Sequence, residues 1–148
     1  MAMTQPAKPA GSFGEYITKI PEQMKAAAPS SQKVELFAKG APIGWLGEDS
    51  GQWCVVTGQG AAISIEPYVY RDVLYYRNAA DTSRYMSVSD GYHYVGFYNW
   101  IGARGWTLNG DVLVSLYTNA QLSFWSTDDG YVYANNGNGY TPLTVRFH

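Results

Sequence analysis

A chain of 148 residues is long enough for one sizeable core and short for two, and its ten basic and twelve acidic side chains, a formal net charge of -2, provide no positive track for nucleic-acid phosphates. With 46% hydrophobic and only 15% charged residues, Gly, Asn, Ser, Thr and Tyr must build much of the surface, a balance that suits β structure better than helix. A single cysteine, Cys54, excludes an internal disulfide framework and a thiolate metal cluster, and no apolar run is long enough for a transmembrane segment.

Residues 1–12 mix Pro, Ala, Gly and Ser without periodicity and read as a flexible tail. The amino end lacks the basic-then-apolar order of a secretory signal, so the expected location is cytoplasmic, or outside the cell by a route without a classical signal peptide. In residues 13–28, Phe13, Tyr16, Ile17, Ile20 and Met24 recur at three- and four-residue steps, which predicts a short helix packing on the domain, with Pro21 marking a boundary or a new first turn. Residues 1–33 thus form an amino-terminal extension, and residues 34–148 the folded domain.

That domain repeats itself. Val34-Glu35-Leu36-Phe37, Val73-Leu74-Tyr75-Tyr76 and Val112-Leu113-Val114-Ser115 start at a constant spacing of 39 residues, defining units 34–72, 73–111 and 112–148. Nineteen residues after each start stands an aromatic, Trp53, Tyr92 or Tyr131, and two further on come Val55, Tyr94 and Tyr133. Turn signals precede these aromatics: Glu48-Asp49-Ser50-Gly51, Ser89-Asp90-Gly91 and Thr127-Asp128-Asp129-Gly130. Further strands are expected over 43–46, 84–88 and 121–125, and over 62–66, 105–108 and 143–147. Each unit then holds four short strands and no crossover helix, which excludes parallel βαβ construction.

Three copies of this length with four strands each resemble the β-trefoil family over residues 34–148. The resemblance implies an all-β fold of pseudo-threefold symmetry, a six-stranded barrel capped by three hairpins, beside the amino-terminal extension. Trefoils include lectins, protease inhibitors, growth-factor-like ligands and actin-bundling modules, so function must be argued from the loops. The Gln-x-Trp motif of ricin-type trefoil lectins is missing: Gln52 directly precedes Trp53, and Gln121 precedes Leu122 and Ser123. That group's sugar-binding residues are therefore not carried over.

A sugar needs Asp or Asn partners for its hydroxyls and an aromatic ring for its C–H face. The second unit offers Asp81, Asp90, Tyr92, Tyr98, Asn99 and Trp100; the third offers Asp129, Tyr131, Asn135, Asn136 and Tyr140. The first is poorer, with Asp49 and Trp53 beside Cys54 and Ala61-Ala62. Several weak sites would add avidity on clustered glycans. Competing structural roles are turn formation for Asp49, Asp90 and Asp129, and sheet packing for Tyr92 and Tyr131. His93 is expected to lie in a strand and point opposite Tyr92 and Tyr94.

No paired carboxylates or histidine pattern marks a catalytic or metal site, and no cofactor is implied. The reading is a non-catalytic lectin, which several sites would make multivalent, with glycans or glycoproteins as partners and exposed aromatics that would suit a homodimer. The alternative is a protein-binding trefoil, such as a protease inhibitor or a toxin-associated recognition module, using one protruding loop from segments such as 57–60 or 99–104.

Overall fold

The computed structural model describes residues 31–125 and 130–148, together with the backbone of Lys25 and Ala26. In chain order the strands are β1 (Lys25–Ala26), β2 (Val34–Ala38), β3 (Ala41–Glu48), β4 (Cys54–Thr57), β5 (Ile65–Tyr70), β6 (Val73–Asn78), β7 (Tyr85–Val88), β8 (Val95–Tyr98), β9 (Trp106–Asn109), β10 (Val112–Ser115), β11 (Ser123–Trp125), β12 (Val132–Tyr133) and β13 (Tyr140–Phe147). They form a seven-stranded and a six-stranded sheet. The predicted helix over 13–28 falls outside the described residues except at Lys25 and Ala26, which pair as a strand with Val69 and Tyr68. The Asp129 turn lies outside them as well.

Alternation of side chains sets the inner face. Val34 and Leu36 of β2, Leu113 and Ser115 of β10, and Leu143 and Val145 of β13 are buried, while the residues alternating with them are less so. Six strands close nearly into a barrel around this face. Ladders join β13 to β2, β5 to β6 and β9 to β10, and Leu74 of β6 pairs with Trp106 of β9. The two remaining joints are single contacts: Gln32, just ahead of β2, exchanges both backbone hydrogen bonds with Ile65, and the Val145 N–H donates to the Asp111 carbonyl. Inside, Leu36, Ile65, Met86, Phe97, Trp106 and Leu143 share one core, and the Trp106 indole is satisfied by donating to the Met86 carbonyl at 3.1 Å. Cys54 is buried here, and loss of hydration, aided by Glu48, pushes its thiol well above its usual range, as befits a structural cysteine.

Three hairpins, β3–β4, β7–β8 and β11–β12, meet one another in a cycle. Trp53, just before β4, bridges to Gly96 of β8; Tyr94, just before β8, bridges to Tyr133 of β12; Tyr131, just before β12, bridges to Val55 of β4. A second cycle of hydrogen bonds runs beside the first. The N–H groups of Val56, Phe97 and Ala134 donate to the carbonyls of Gly130, Gln52 and His93 at 2.8, 3.0 and 2.9 Å. The three acceptor residues share a left-handed backbone, with φ of 70° at Gln52, 64° at His93 and 75° at Gly130. Trp53, Tyr94, Trp125 and Tyr133 pack within this junction, with Tyr98, Tyr131 and Tyr140 against them.

The cycle corrects one alignment. Tyr94, not Tyr92, takes the place held by Trp53 and Tyr131, and His93 sits in a turn rather than a strand. From Asp49 to Trp53 and from Asp90 to Tyr94 the chain advances equally, so the two-residue offset arises earlier, in the connection between β6 and β7. Tyr92 is consequently left outside, 54% exposed.

A left-handed backbone costs a non-glycine residue about 1 kcal/mol, and a Cβ on Gly130 would meet nothing within 4 Å. Gly130→Ala should therefore lower stability by about 1 kcal/mol through backbone conformation alone, read as a lower urea midpoint at constant m value; an unchanged midpoint would show that this position does not require φ > 0.

Candidate functional site

The β7–β8 turn is held from within. The Ser89 N–H donates to the Tyr94 carbonyl at 2.9 Å, and the Tyr94 N–H donates to the Ser89 hydroxyl at 3.0 Å. His93 Nδ1 lies 3.2 Å from the Ser89 carbonyl, which can only accept, so this nitrogen carries the proton and Nε2 is left as the other ring position. The left-handed φ of His93 is shared with its two counterparts and belongs to the hairpin junction. Its imidazole is what distinguishes it.

Two other segments reach this turn. After β10, the buried Ser115 hydroxyl accepts from the N–H groups of Tyr117 and Thr118 at 3.1 and 3.3 Å, and Asn119, at φ 56°, lets the chain reverse. After β12, the Ala134 N–H bond to His93 brings Asn135 alongside. Asn135 spends its side chain on the scaffold: Nδ2 donates to the Tyr92 carbonyl at 3.1 Å and Oδ1 accepts from the Gly137 N–H at 2.8 Å. Its backbone carbonyl accepts from the Ser123 hydroxyl at 2.7 Å.

Between them lies a cleft of about 370 Å³ lined by His93, Tyr117, Thr118, Ala120, Ala134, Asn135 and Asn136. The Tyr117 hydroxyl donates a hydrogen bond to Asp90 Oδ1, and that bond holds the phenol protonated above its usual range. Arg104 places its guanidinium carbon 3.4 Å from the Tyr117 ring centroid, a cation–π contact covering one face, and the His93 ring stands edge-on at 6.2 Å. A second hollow, of about 200 Å³, is lined by Phe37, Gly40, Asp111, Thr144, Val145 and Arg146 and has a different chemistry.

Four expected residues gather here: Asn135 and Asn136 line the cleft, Asp90 is tied to it through Tyr117, and Tyr92 through Asn135. The others lie elsewhere. Trp100 packs edge-on against Tyr70, Tyr75 and Tyr85, with centroids 5.3, 5.0 and 5.4 Å away, on the outer side of β5 and β6. Asn99 is buried, and Tyr98 packs on the hairpin junction. Tyr131 donates from its hydroxyl to Asp49 at 3.0 Å and meets Tyr94 edge-on, which makes it a tie between hairpins. Asp49 also accepts from the N–H groups of Gly51 and Trp53, as expected of a turn residue. Tyr140 packs on Trp125 and Tyr133. His93, Tyr117, Thr118 and Arg104 were missed; their only sequence signal is an aromatic and an Asn in a short loop that the repeat pattern does not single out.

Asp81 sits at the exposed edge of an ion network built around the buried Arg84. Arg84, with 8% of its side chain exposed, donates to both oxygens of Glu48 at 2.8 and 3.0 Å and to Asp81 Oδ2 at 2.9 Å, while Asn78 donates to Glu48 at 3.1 Å. This network ties the end of β3 to the β6–β7 connection. Among the described residues no group of three or more His, Cys, Asp or Glu side chains could hold a metal ion, and no helix is long and apolar enough to cross a membrane. Compared with protein-family models, characterised proteins and solved structures, the chain matches none.

The Asp81 carboxyl is held below its ordinary value of 3.8, first by the Ser83 hydroxyl and further by Arg84, against some desolvation. Because the folded value lies below the unfolded one, the stabilisation is complete above the ordinary carboxylate range and is lost as pH falls through the depressed value. Asp81→Asn should accordingly be less stable than the parent at neutral pH, with the gap narrowing below pH 3.8; urea unfolding from pH 7 down to about 2.5 tests this, and a pH-independent gap would refute it.

Proposed function

We propose that this chain is a β-trefoil lectin: a non-catalytic protein that holds a sugar of a glycan or glycoprotein in the cleft between the β7–β8 turn and the loops after β10 and β12. The fold reading is supported by four strands in each sequence unit, the nearly closed six-stranded barrel, and the two cycles of contacts among the three hairpins. A threefold arrangement explains why Gln52, His93 and Gly130 share one unusual backbone conformation.

The observation that carries the sugar reading is that Asn135 and Asn136, whose amides suit sugar hydroxyls, line one cleft beside the Tyr117 ring, with Asp90 and the Tyr92 carbonyl outside the lining, tied to Tyr117 and Asn135. A sugar ring has polar edges and an apolar face. The cleft supplies hydroxyl, amide and imidazole groups at its rim and an aromatic ring with alanine methyls as its apolar part. Asn135 is committed to the scaffold and positions Asn136, whose exposed amide is the principal contact offered to a hydroxyl.

One observation favours a protein-binding role. The turn Asn99–Arg104 is braced by the Gly102 N–H bond to the Asn99 carbonyl and by the Ser87 hydroxyl bond to the Gly102 carbonyl, and it presents Ile101 at 75% exposure. A rigid turn with an apolar tip suits insertion into a partner's pocket.

A glycan array followed by titration separates the two. Saturable binding to related glycans, weakened about tenfold by Asn136→Ala or Tyr117→Ala and unchanged by Ile101→Asp, is the expected outcome. Absence of selective binding by the folded protein would overturn the lectin reading and bring the Ile101 turn forward.

A further inference from the structure

Resting on that carbohydrate reading, we propose that the cleft continues across Tyr117 into a second subsite formed by Asp90 and Arg104, so that the ligand is an uncharged oligosaccharide of at least two residues. Tyr117 joins the two halves: its ring lines the cleft, its hydroxyl holds Asp90, and Arg104 lies over one of its faces.

The spacing of this charged pair is what calls for a ligand. Arg77 and Glu66, and Arg84 and Glu48, close to 2.8 Å. Arg104 Nη2 and Asp90 Oδ1 stand at 3.9 Å, too far for a hydrogen bond, because Tyr117 holds each of them separately. Side by side, the pair thus presents an acceptor and a donor largely unspent on each other. Asp90 is 80% exposed, and its second oxygen has no partner among the described residues. Arg104 Nε is buried without an acceptor, so the guanidinium has unused capacity inside the protein too.

Neighbouring sugar hydroxyls each donate and accept, and two of them can satisfy a carboxylate and a guanidinium together. Asp90 and Arg104 offset each other, so the subsite carries no net charge to draw an acidic or a basic sugar, which favours a neutral one. The main cleft, at about 370 Å³, lies at the low end for ligand sites and suits one ring; a second residue must extend beyond it, and the pair stands on the Tyr117 side.

The test compares the strongest array oligosaccharide with the monosaccharide at its non-reducing end, titrated calorimetrically into the full-length protein, Asp90→Asn and Arg104→Lys. These substitutions keep an acceptor for the Tyr117 hydroxyl and a cation over its ring. The oligosaccharide should bind at least about tenfold more tightly than the monosaccharide, and each variant should shrink that ratio by weakening the oligosaccharide more than the monosaccharide. Equal affinity for the two sugars, a ratio surviving both substitutions, or a parallel loss for both sugars would overturn the subsite and leave the lectin reading standing. Absence of binding to any glycan would overturn both.

Discussion

Each of the hairpins β3–β4, β7–β8 and β11–β12 depends on another of the three for a backbone hydrogen bond that its own ladder does not supply. The edge groups of β4, β8 and β12 are too short a ladder to satisfy themselves, and an unpaired buried N–H or carbonyl costs as much as a lost hydrogen bond. The solution is cyclic: Val56 donates to Gly130, Phe97 to Gln52 and Ala134 to His93. Three carbonyls must turn toward a neighbouring hairpin, and the left-handed conformation does this at all three positions. Two of them carry side chains and are correspondingly strained.

The candidate site is a consequence of one of these links. The bond from Ala134 to His93 sets the stretch after β12 against the β7–β8 turn, and Asn135 then locks onto the Tyr92 carbonyl. Ser115 folds the third segment back so that Tyr117 reaches Asp90. The other two links are built alike, yet their surroundings differ: Gln52 has a buried side-chain oxygen where His93 has an imidazole, and Gly130 has no side chain at all. Equivalent backbone geometry therefore coexists with unequal chemistry, which fits a single built cleft better than three matched ones.

Aromatic residues divide between structural work and the cleft in a way their identity does not announce. Trp100 and Tyr131 have the polar-tipped rings expected at binding surfaces, but three tyrosines enclose the first and a hairpin tie engages the second. Tyr117, with no repeat partner, Arg104 over one face and Asp90 at its hydroxyl, is the ring that lines open space. Burial and neighbours settle the role, since Tyr gains stability equally from packing and from a hydroxyl bond.

The all-β class and most strand positions were legible in the chain, because alternating apolar residues and Asp-Gly turns act over a few neighbouring positions and leave a local pattern. Asn135 and Asn136 were legible as polar loop residues, as was Asp90. Their meeting with His93 and Tyr117 was decided by tertiary structure alone, as was the exchange of Tyr94 for Tyr92 in the hairpin junction. Both depend on hydrogen bonds between segments far apart in sequence, such as Ala134 to His93 and Tyr117 to Asp90, whose partners carry no shared signature until the strands are in register.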